Sequence, residues 1–165
     1  MTGNPAEVTG YDWHDGQLRP VSSHWIDQGR NAYGIPSGGL VSTAADLQAL
    51  ANALLNGDLL PPRSRRLLTK GVPLLPDAKG DQTAYTYAGF IRSDANGTVV
   101  LHKTGGGTGV GSGAVLMLVP ERKIAIILLR NLFGNGKSNG ALASAVLNRC
   151  FGLAVDGSGD EDDSN

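Results

Sequence analysis

The chain has 165 residues, of which 41% are hydrophobic and 18% charged, and a formal net charge of −1. This length is typical of one domain and suffices to bury a core, whereas the small net charge excludes a general attraction to nucleic acid or membrane surfaces. The single cysteine, Cys150, excludes an internal disulfide and a cysteine-based zinc site. It follows an apolar helical pattern, which predicts a buried thiol.

The first 36 residues form an irregular segment with scattered glycine, proline, asparagine and aspartate. Within it, Asp15-Gly16 predicts the turn of a short hairpin. The chain does not open with a basic segment followed by an apolar one, so no signal peptide is expected. No apolar run reaches the length that spans a membrane.

Residues 42–56 predict an amphipathic helix. Ser42 or Thr43 can cap its first turn, and Gly57 is a typical end signal. The apolar residues recur at helical spacing, at Leu47, Leu50, Ala51, Leu54 and Leu55. A proline pair at 61–62 then predicts a second, shorter helix.

The second half of the chain predicts mostly strands. Residues 71–83 are predicted as a loop, after which four strands are expected at 84–93, 98–103, 113–120 and 123–131. Asn96-Gly97 is a strong turn signal between the first two. A short turn at 120–122 joins the last two, so the strands predict an antiparallel meander.

Residues 138–152 predict a C-terminal helix, and residues 156–165 an acidic tail without core residues. The chain is therefore expected to be an α+β domain over residues 1–155, with an antiparallel sheet of about four strands packed with helices. The last two strands are apolar on both faces, so both faces of the sheet need cover. The terminal helix is expected to cover one face and the helix at 42–56 part of the other, and the apolar surface left over suggests a missing partner segment.

The stretch LHKTGGGTGVG at 101–111 places a lysine, Lys103, at the end of a valine-rich strand, followed by glycines. Burying an ammonium group costs several kcal/mol unless it is paired. Lys103 therefore needs a reason: a pKa lowered by its surroundings, or a carboxylate to hold. The glycines allow a substrate to lie along the strand edge, because no side chain blocks the backbone.

Three segments together resemble class C β-lactamases and their relatives, the penicillin-binding peptidases and family VIII esterases. HKTGGGTGVGSGAVLMLVPERKIAIILLRN at 102–131 resembles their Lys-Thr-Gly strand and following hairpin. AYGIPSGGLVSTAADLQALANALLNG at 32–57 is similar to the preceding turn and helix, and YAGF at 87–90 to the strand between them. The resemblance runs from about Val8 to Phe151 in the family's order.

The resemblance implies roles for the residues of the Lys-Thr-Gly strand. Lys103 and Thr104 would bind the substrate carboxylate and tune proton transfer. Gly105 would allow close backbone approach, and the N–H of Gly106 would form half of an oxyanion hole. The stretch after the triplet is two residues longer than in the lactamases, which leaves Gly107 as the alternative donor.

His102, next to the triplet, has two interpretations. It matches a position that is histidine in some relatives and would contact the substrate and the network of the lysine, or it would pack within the strand. The resemblance implies neither a cofactor nor a metal. Family members are often periplasmic or secreted.

The sequence departs from the family in its nucleophile. No serine has lysine three positions later, and no tyrosine begins a Tyr-x-Asn motif; in the family these motifs supply and activate the nucleophilic serine. The chain therefore resembles the C-terminal half of an acyl-serine hydrolase that acts on a β-lactam, a D-alanyl peptide or an ester. It is expected to be inactive alone, and to carry an exposed apolar patch for a complementary N-terminal half or for self-association.

Other functions are compatible with the same residues. The chain is alternatively a non-catalytic module that binds a peptide or carboxylate at the strand edge. NLFGNGKS at 131–138 nearly matches a phosphate loop, but Asn131 replaces the first glycine, which favours a polar turn. Combinations of His14, His24 or His102 with Asp15, Asp27 or Asp46 lack the serine elbow of a hydrolase triad.

Overall fold

The computed structural model describes residues 8–21, 42–73, 84–107, 111–133 and 137–155. The helices in this part are α1 (Ala44–Asn56), α2 (Pro62–Thr69) and α3 (Asn139–Phe151). The strands are β1 (Tyr11–His14), β2 (Gln17–Pro20), β3 (Gly71–Pro73), β4 (Ala84–Thr86), β5 (Ile91–Ala95), β6 (Thr98–Gly107), β7 (Ser112–Val119), β8 (Ile124–Arg130) and β9 (Leu132–Phe133). The predicted acidic tail, 156–165, lies outside the described residues.

Six strands form one antiparallel sheet in the order β3-β4-β5-β6-β7-β8. The α+β prediction is confirmed, but the predicted number of strands was too small. Residues 84–93 form two strands, because the chain turns back after β4. The Thr86 N–H donates to the Phe90 carbonyl at 2.8 Å, and Gly89 supplies a φ of 77°. The second difference is β3, which lies in a segment predicted as loop.

Tight turns fix the register of the central strands. Asn96 and Gly97 join β5 to β6 with φ angles of 54° and 83°, which is the conformation that a two-residue hairpin requires. The Asp94 carboxylate accepts the Gly97 N–H at 2.7 Å. A single 3₁₀ turn, Pro120–Arg122, joins β7 to β8 as the sequence predicts.

Both faces of the sheet are covered. Helix α1 packs over β7 and β8 on one face, and α3 packs over the same strands on the other. The core on the α1 face consists of Ala51, Leu68, Leu101, Leu116 and Leu118. The core on the α3 face consists of Ala95, Val100, Val115, Met117, Val119, Ala143, Leu147 and Leu153. Successive residues of β6 and β7 alternate between the two faces, as strand geometry requires.

The first helix begins and ends where the sequence predicts. Thr43 is its N-cap: its hydroxyl oxygen accepts the Asp46 N–H at 3.1 Å and donates to the Asp46 carboxylate at 2.9 Å. Gly57 ends the helix with a φ of 86°. Only Ala51 of this helix is buried, so α1 rests on the sheet by a narrow stripe.

A second, smaller sheet has the order β2-β1-β9. The predicted hairpin is present, with Asp15 and Gly16 at φ angles of 50° and 73°. Strand β1 also pairs in parallel with β9, through Tyr11 and Leu132. This sheet connects the N-terminal hairpin to the segment that follows β8.

The prediction for Cys150 was wrong, because this thiol is exposed. The buried positions of α3 end at Leu147, and Gly152 terminates the helix with a φ of 67°. Leu153, only 2% exposed, then packs in the core on the α3 face. In the described part of the chain, no helix is long and apolar enough to cross a membrane.

Candidate functional site

The candidate site is the end of β6, where one edge of the strand is open. Strand β5 pairs with β6 only from Ala95↔Thr98 to Ile91↔His102. Strand β7 continues on the other side as far as Gly107↔Ser112. Within the described residues, the backbone of 103–107 is therefore paired on one side only. In such a strand, alternate residues direct their N–H and C=O groups to the unpaired side.

Lys103 is the first residue of this open segment. Strand alternation places it on the α1 face, next in line after Leu101 and opposite Leu116 of β7. Lys103 is exposed, so its ammonium group avoids the cost of burial without a partner. The pairing of β5 with β6 stops at His102, one residue before Lys103. Helix α1 lies over β7 and β8 and not over this part of β6. The ammonium group is therefore accessible to an anion beside the open edge.

Thr104 and His102 lie on the opposite face of the sheet from Lys103. Thr104 is half-buried, and His102 is only 6% exposed. His102 stands between Ile91 of β5 and Met117 of β7 in the paired part of the strand. Because neighbouring residues of a strand point to opposite faces, this placement favours the packing interpretation of His102.

The glycines after Thr104 differ in what confines them. A Cβ on Gly105 would meet no atom within 4 Å, so the fold does not require glycine there. Gly106 has a φ of 133°, and a Cβ on it would collide with the Ser112 carbonyl oxygen and approach the Gly113 Cα to 2.8 Å. Gly106 is therefore required by the backbone, whereas Gly105 leaves open space beside the strand.

The small sheet contacts Gly111, the residue before β7. The Tyr11 N–H donates to the carbonyls of Gly111 at 2.8 Å and Asn131 at 2.9 Å. Gly111 has a φ of 64°, and a Cβ on it would approach the Tyr11 nitrogen to 2.6 Å. This contact between the N-terminal hairpin and the β6–β7 connection was not predicted, because no local pattern encodes a contact across so many residues. Residues 108–110 lie outside the described part.

The alternative sites gain no support. Leu132 and Phe133, the second and third residues of the near-match to a phosphate loop, form strand β9, whereas such a loop needs turning backbone around the phosphates. Asp46 is engaged at the cap of α1, and His24 and Asp27 lie outside the described residues. Among the residues that the structure describes, no three His, Cys, Asp or Glu side chains cluster to hold a metal.

The antiparallel sheet between helices, with the Lys-Thr-Gly strand and its hairpin at the centre, agrees with the fold that the resemblance to the β-lactamases implies. The family model Beta-lactamase matches residues 2–150, and the chain belongs to this family. No curated protein matches the chain.

One solved structure agrees with this assignment in fold. The chain is similar to the octameric penicillin-binding protein homologue from Pyrococcus abyssi, with a TM-score of 0.67 and 22% sequence identity. The match covers 88% of this chain and 31% of the homologue. The chain therefore spans about a third of the length of that protein.

Proposed function

We propose that this chain provides the substrate-binding wall of an acyl-serine hydrolase, and that the attacking serine belongs to a complementary polypeptide. The open edge of β6 carries this proposal. Its backbone can pair with an extended substrate, as in strand addition. The accessible Lys103 ammonium and the Thr104 hydroxyl would hold a carboxylate at the start of the edge.

The backbone of the following glycines would stabilise the reacting carbonyl group. A fixed N–H donor lowers the energy of negative charge that develops only in the transition state. Gly106 is the stronger candidate for this donor, because its backbone is held against β7. Gly105 and Gly107 would keep the edge free of side chains. The substrate class is a β-lactam, a D-alanyl peptide or an ester with a carboxylate.

Ligand binding tests the edge without requiring catalysis. We expect benzylpenicillin to shift the NMR amide signals of residues 103–107 in the full chain. Lys103→Ala should weaken this binding by about tenfold or more, since a charge-assisted hydrogen bond contributes roughly 1.5–3 kcal/mol. Lys137→Ala is the matched control, because Lys137 is also an exposed lysine. Unchanged amide signals throughout 103–107 would contradict the proposal.

Turnover tests where the nucleophile lies. We expect no hydrolysis of nitrocefin or of a p-nitrophenyl ester by the chain alone, because no Ser-x-x-Lys or Tyr-x-Asn motif is present in it. Activity should appear when a fragment carrying both motifs is added. Turnover by the chain alone that Lys103→Ala abolishes would show that the missing-nucleophile interpretation is wrong.

The absence of both motifs from this sequence also favours a second candidate, a non-catalytic module that binds a peptide or carboxylate at the same edge. The two candidates share the binding prediction and differ in turnover. Binding at 103–107 without turnover, even with the complementary fragment present, would select the binding module.

We also propose that the outer edge of β8 receives the complementary polypeptide. Residues 124–129 are uncharged and aliphatic, and β8 is the last strand of the sheet within the described residues. A groove of about 420 Å³ runs beside it, between Ala44, Ala45 and Gln48 of α1 and Ala125 and Ile127 of β8. Soluble proteins rarely leave such an edge bare, because it templates strand pairing. An added strand would place alternate side chains in the groove.

A further inference from the structure

Asn139, the first residue of α3, holds an unusual position. Its Oδ1 atom is buried and makes no hydrogen bond within the described part of the chain. An unsatisfied buried acceptor costs roughly 1–3 kcal/mol, so the placement of this amide calls for an explanation.

The Asn139 amide fills the space of a missing side chain. A Cβ on Gly113 of β7 would collide with the Asn139 Nδ2 and approach its Cγ to 3.1 Å. Gly113 is the register partner of Gly106. A Cβ on Gly106 would in turn approach the Gly113 Cα to 2.8 Å. The Gly106 and Gly113 backbones therefore lie side by side in close contact, and the Asn139 amide packs where a Gly113 side chain would stand.

The surrounding bonds fix the start of α3, where Asn139 lies. The Ser138 hydroxyl caps α3 by accepting the Ala141 N–H at 3.1 Å. Arg130, the register partner of Gly113 on β8, donates its guanidinium N–H to the Lys137 carbonyl at 2.9 Å. The start of α3 is thus tied both to its own first turn and to the strand next to Gly113. Asn139 is held in place by contacts that do not involve its own amide.

We propose that Asn139 and Gly113 are positioning residues that fix the backbone of Gly106. This inference rests on the proposed function, in which the Gly106 N–H stabilises developing negative charge. Because β5 does not extend past Ile91↔His102, β7 is the strand that pairs with β6 near Gly106 in the part of the chain that the structure describes. Strand β7 begins only one residue before Gly113, so we infer that the Asn139 amide, which packs against Gly113, sets its position.

The test is a pair of substitutions that clash singly and fit together. Gly113→Ala adds a Cβ where the Asn139 amide lies, and Asn139→Ala removes that amide. In the full chain, we expect Gly113→Ala to shift the Gly106 amide NMR signal and to lower its order parameter from ~0.85 toward ~0.6. The double variant should restore both. Benzylpenicillin affinity should fall by about tenfold or more in Gly113→Ala and recover in the double variant.

A merely structural role would lower the denaturation midpoint of Gly113→Ala and leave the Gly106 signal unchanged. That result would overturn the proposal, as would a double variant that does not restore the signal. If Gly113→Ala does not fold, Asn139→Ala decides: an increase in Gly106 mobility supports the proposal, and an unchanged order parameter contradicts it. These signals are read in the ligand-free chain. Failure of the proposed function would instead appear as the absence of benzylpenicillin-induced shifts in the unsubstituted chain. It can therefore be told apart from failure of the positioning role.

Discussion

The open edge of β6 and the outer edge of β8 present opposite chemistry to their surroundings. Beyond Lys103 and Thr104, the β6 edge is nearly pure backbone, with Gly105 and Gly106 exposed. The β8 edge carries branched aliphatic side chains along almost its whole length. Backbone without side chains recognises a partner by directional hydrogen bonds, whereas aliphatic side chains are stabilised by burial in proportion to area. Under the proposed function, one sheet would offer a small substrate a polar edge and a polypeptide an apolar one.

The largest expected effect is a loss of stability when a side chain is added at Gly106, on the open edge of β6. Gly106→Ala should lower the free energy of unfolding by about 2–4 kcal/mol, because strained backbone costs ~1–3 kcal/mol and the clash with backbone atoms adds to it. The atoms that the new Cβ meets belong to the backbone of β7, so no side chain can move away. Urea unfolding measures the change.

Gly105→Ala is the matched control for that substitution. Its Cβ meets no atom within 4 Å and its φ lies outside the left-handed region, so the free energy of unfolding should change by less than about 1 kcal/mol. Binding of benzylpenicillin should nevertheless weaken, because a methyl group then stands on the edge. Equal losses of stability in Gly106→Ala and Gly105→Ala would show that the backbone at Gly106 is no more restricted than the backbone at Gly105.

Sequence patterns predicted the elements whose signals are local. Thr43 and Gly57 bound α1, and Asn96-Gly97 forms the β5–β6 turn, because caps and two-residue turns depend on neighbouring residues. The division of 84–93 into two strands was missed, because its aromatic residues suit a strand and its turn depends on the hydrogen bond from Thr86 to Phe90.

The site was only partly predictable for a related reason. The Lys-Thr-Gly strand could be found from its residues, but the opening of its edge depends on where β5 begins, at Ile91, opposite His102. The exposure of Lys103 follows from the same non-local fact. The packing of Asn139 on Gly113 joins residues on separate elements, and no periodicity or turn signal encodes such a contact.

Placing a charge on the outer edge of β8 should have a smaller effect, which changes association with another chain and not the stability of the fold. Leu129 is 43% exposed at the end of β8. Leu129→Lys should change the free energy of unfolding by less than about 1 kcal/mol, because the side chain is already partly in water. It should reduce hydrophobic-dye binding, and it should weaken self-association or binding of the complementary fragment by about tenfold, equivalent to ~1.4 kcal/mol.

Val146→Lys controls for the loss of exposed apolar area in general. Val146 is also 43% exposed, but it lies on α3 and not on the sheet edge. Val146→Lys should leave association unchanged, as measured by light scattering after gel filtration. Equal effects of the two lysines would indicate non-specific association, and a chain that binds no dye and stays monomeric would contradict the docking edge altogether.

The smallest expected effect concerns the helix that forms one wall of the groove beside β8. Thr43→Ala removes the cap of α1 and should lower the free energy of unfolding by about 1 kcal/mol. Ser42→Ala should change it little, because Ser42 is exposed and its hydroxyl donates a long hydrogen bond of 3.5 Å to the Thr43 carbonyl. Because α1 has a single buried residue, the lost cap should fray the first turn, where Ala44 and Ala45 line the groove. Hydrogen exchange should therefore accelerate at Asp46 and Leu47 before it does in the sheet. Uniform acceleration across α1 and β8 would instead mean that the helix and the edge strand unfold as one unit, and that the groove has no independently mobile wall.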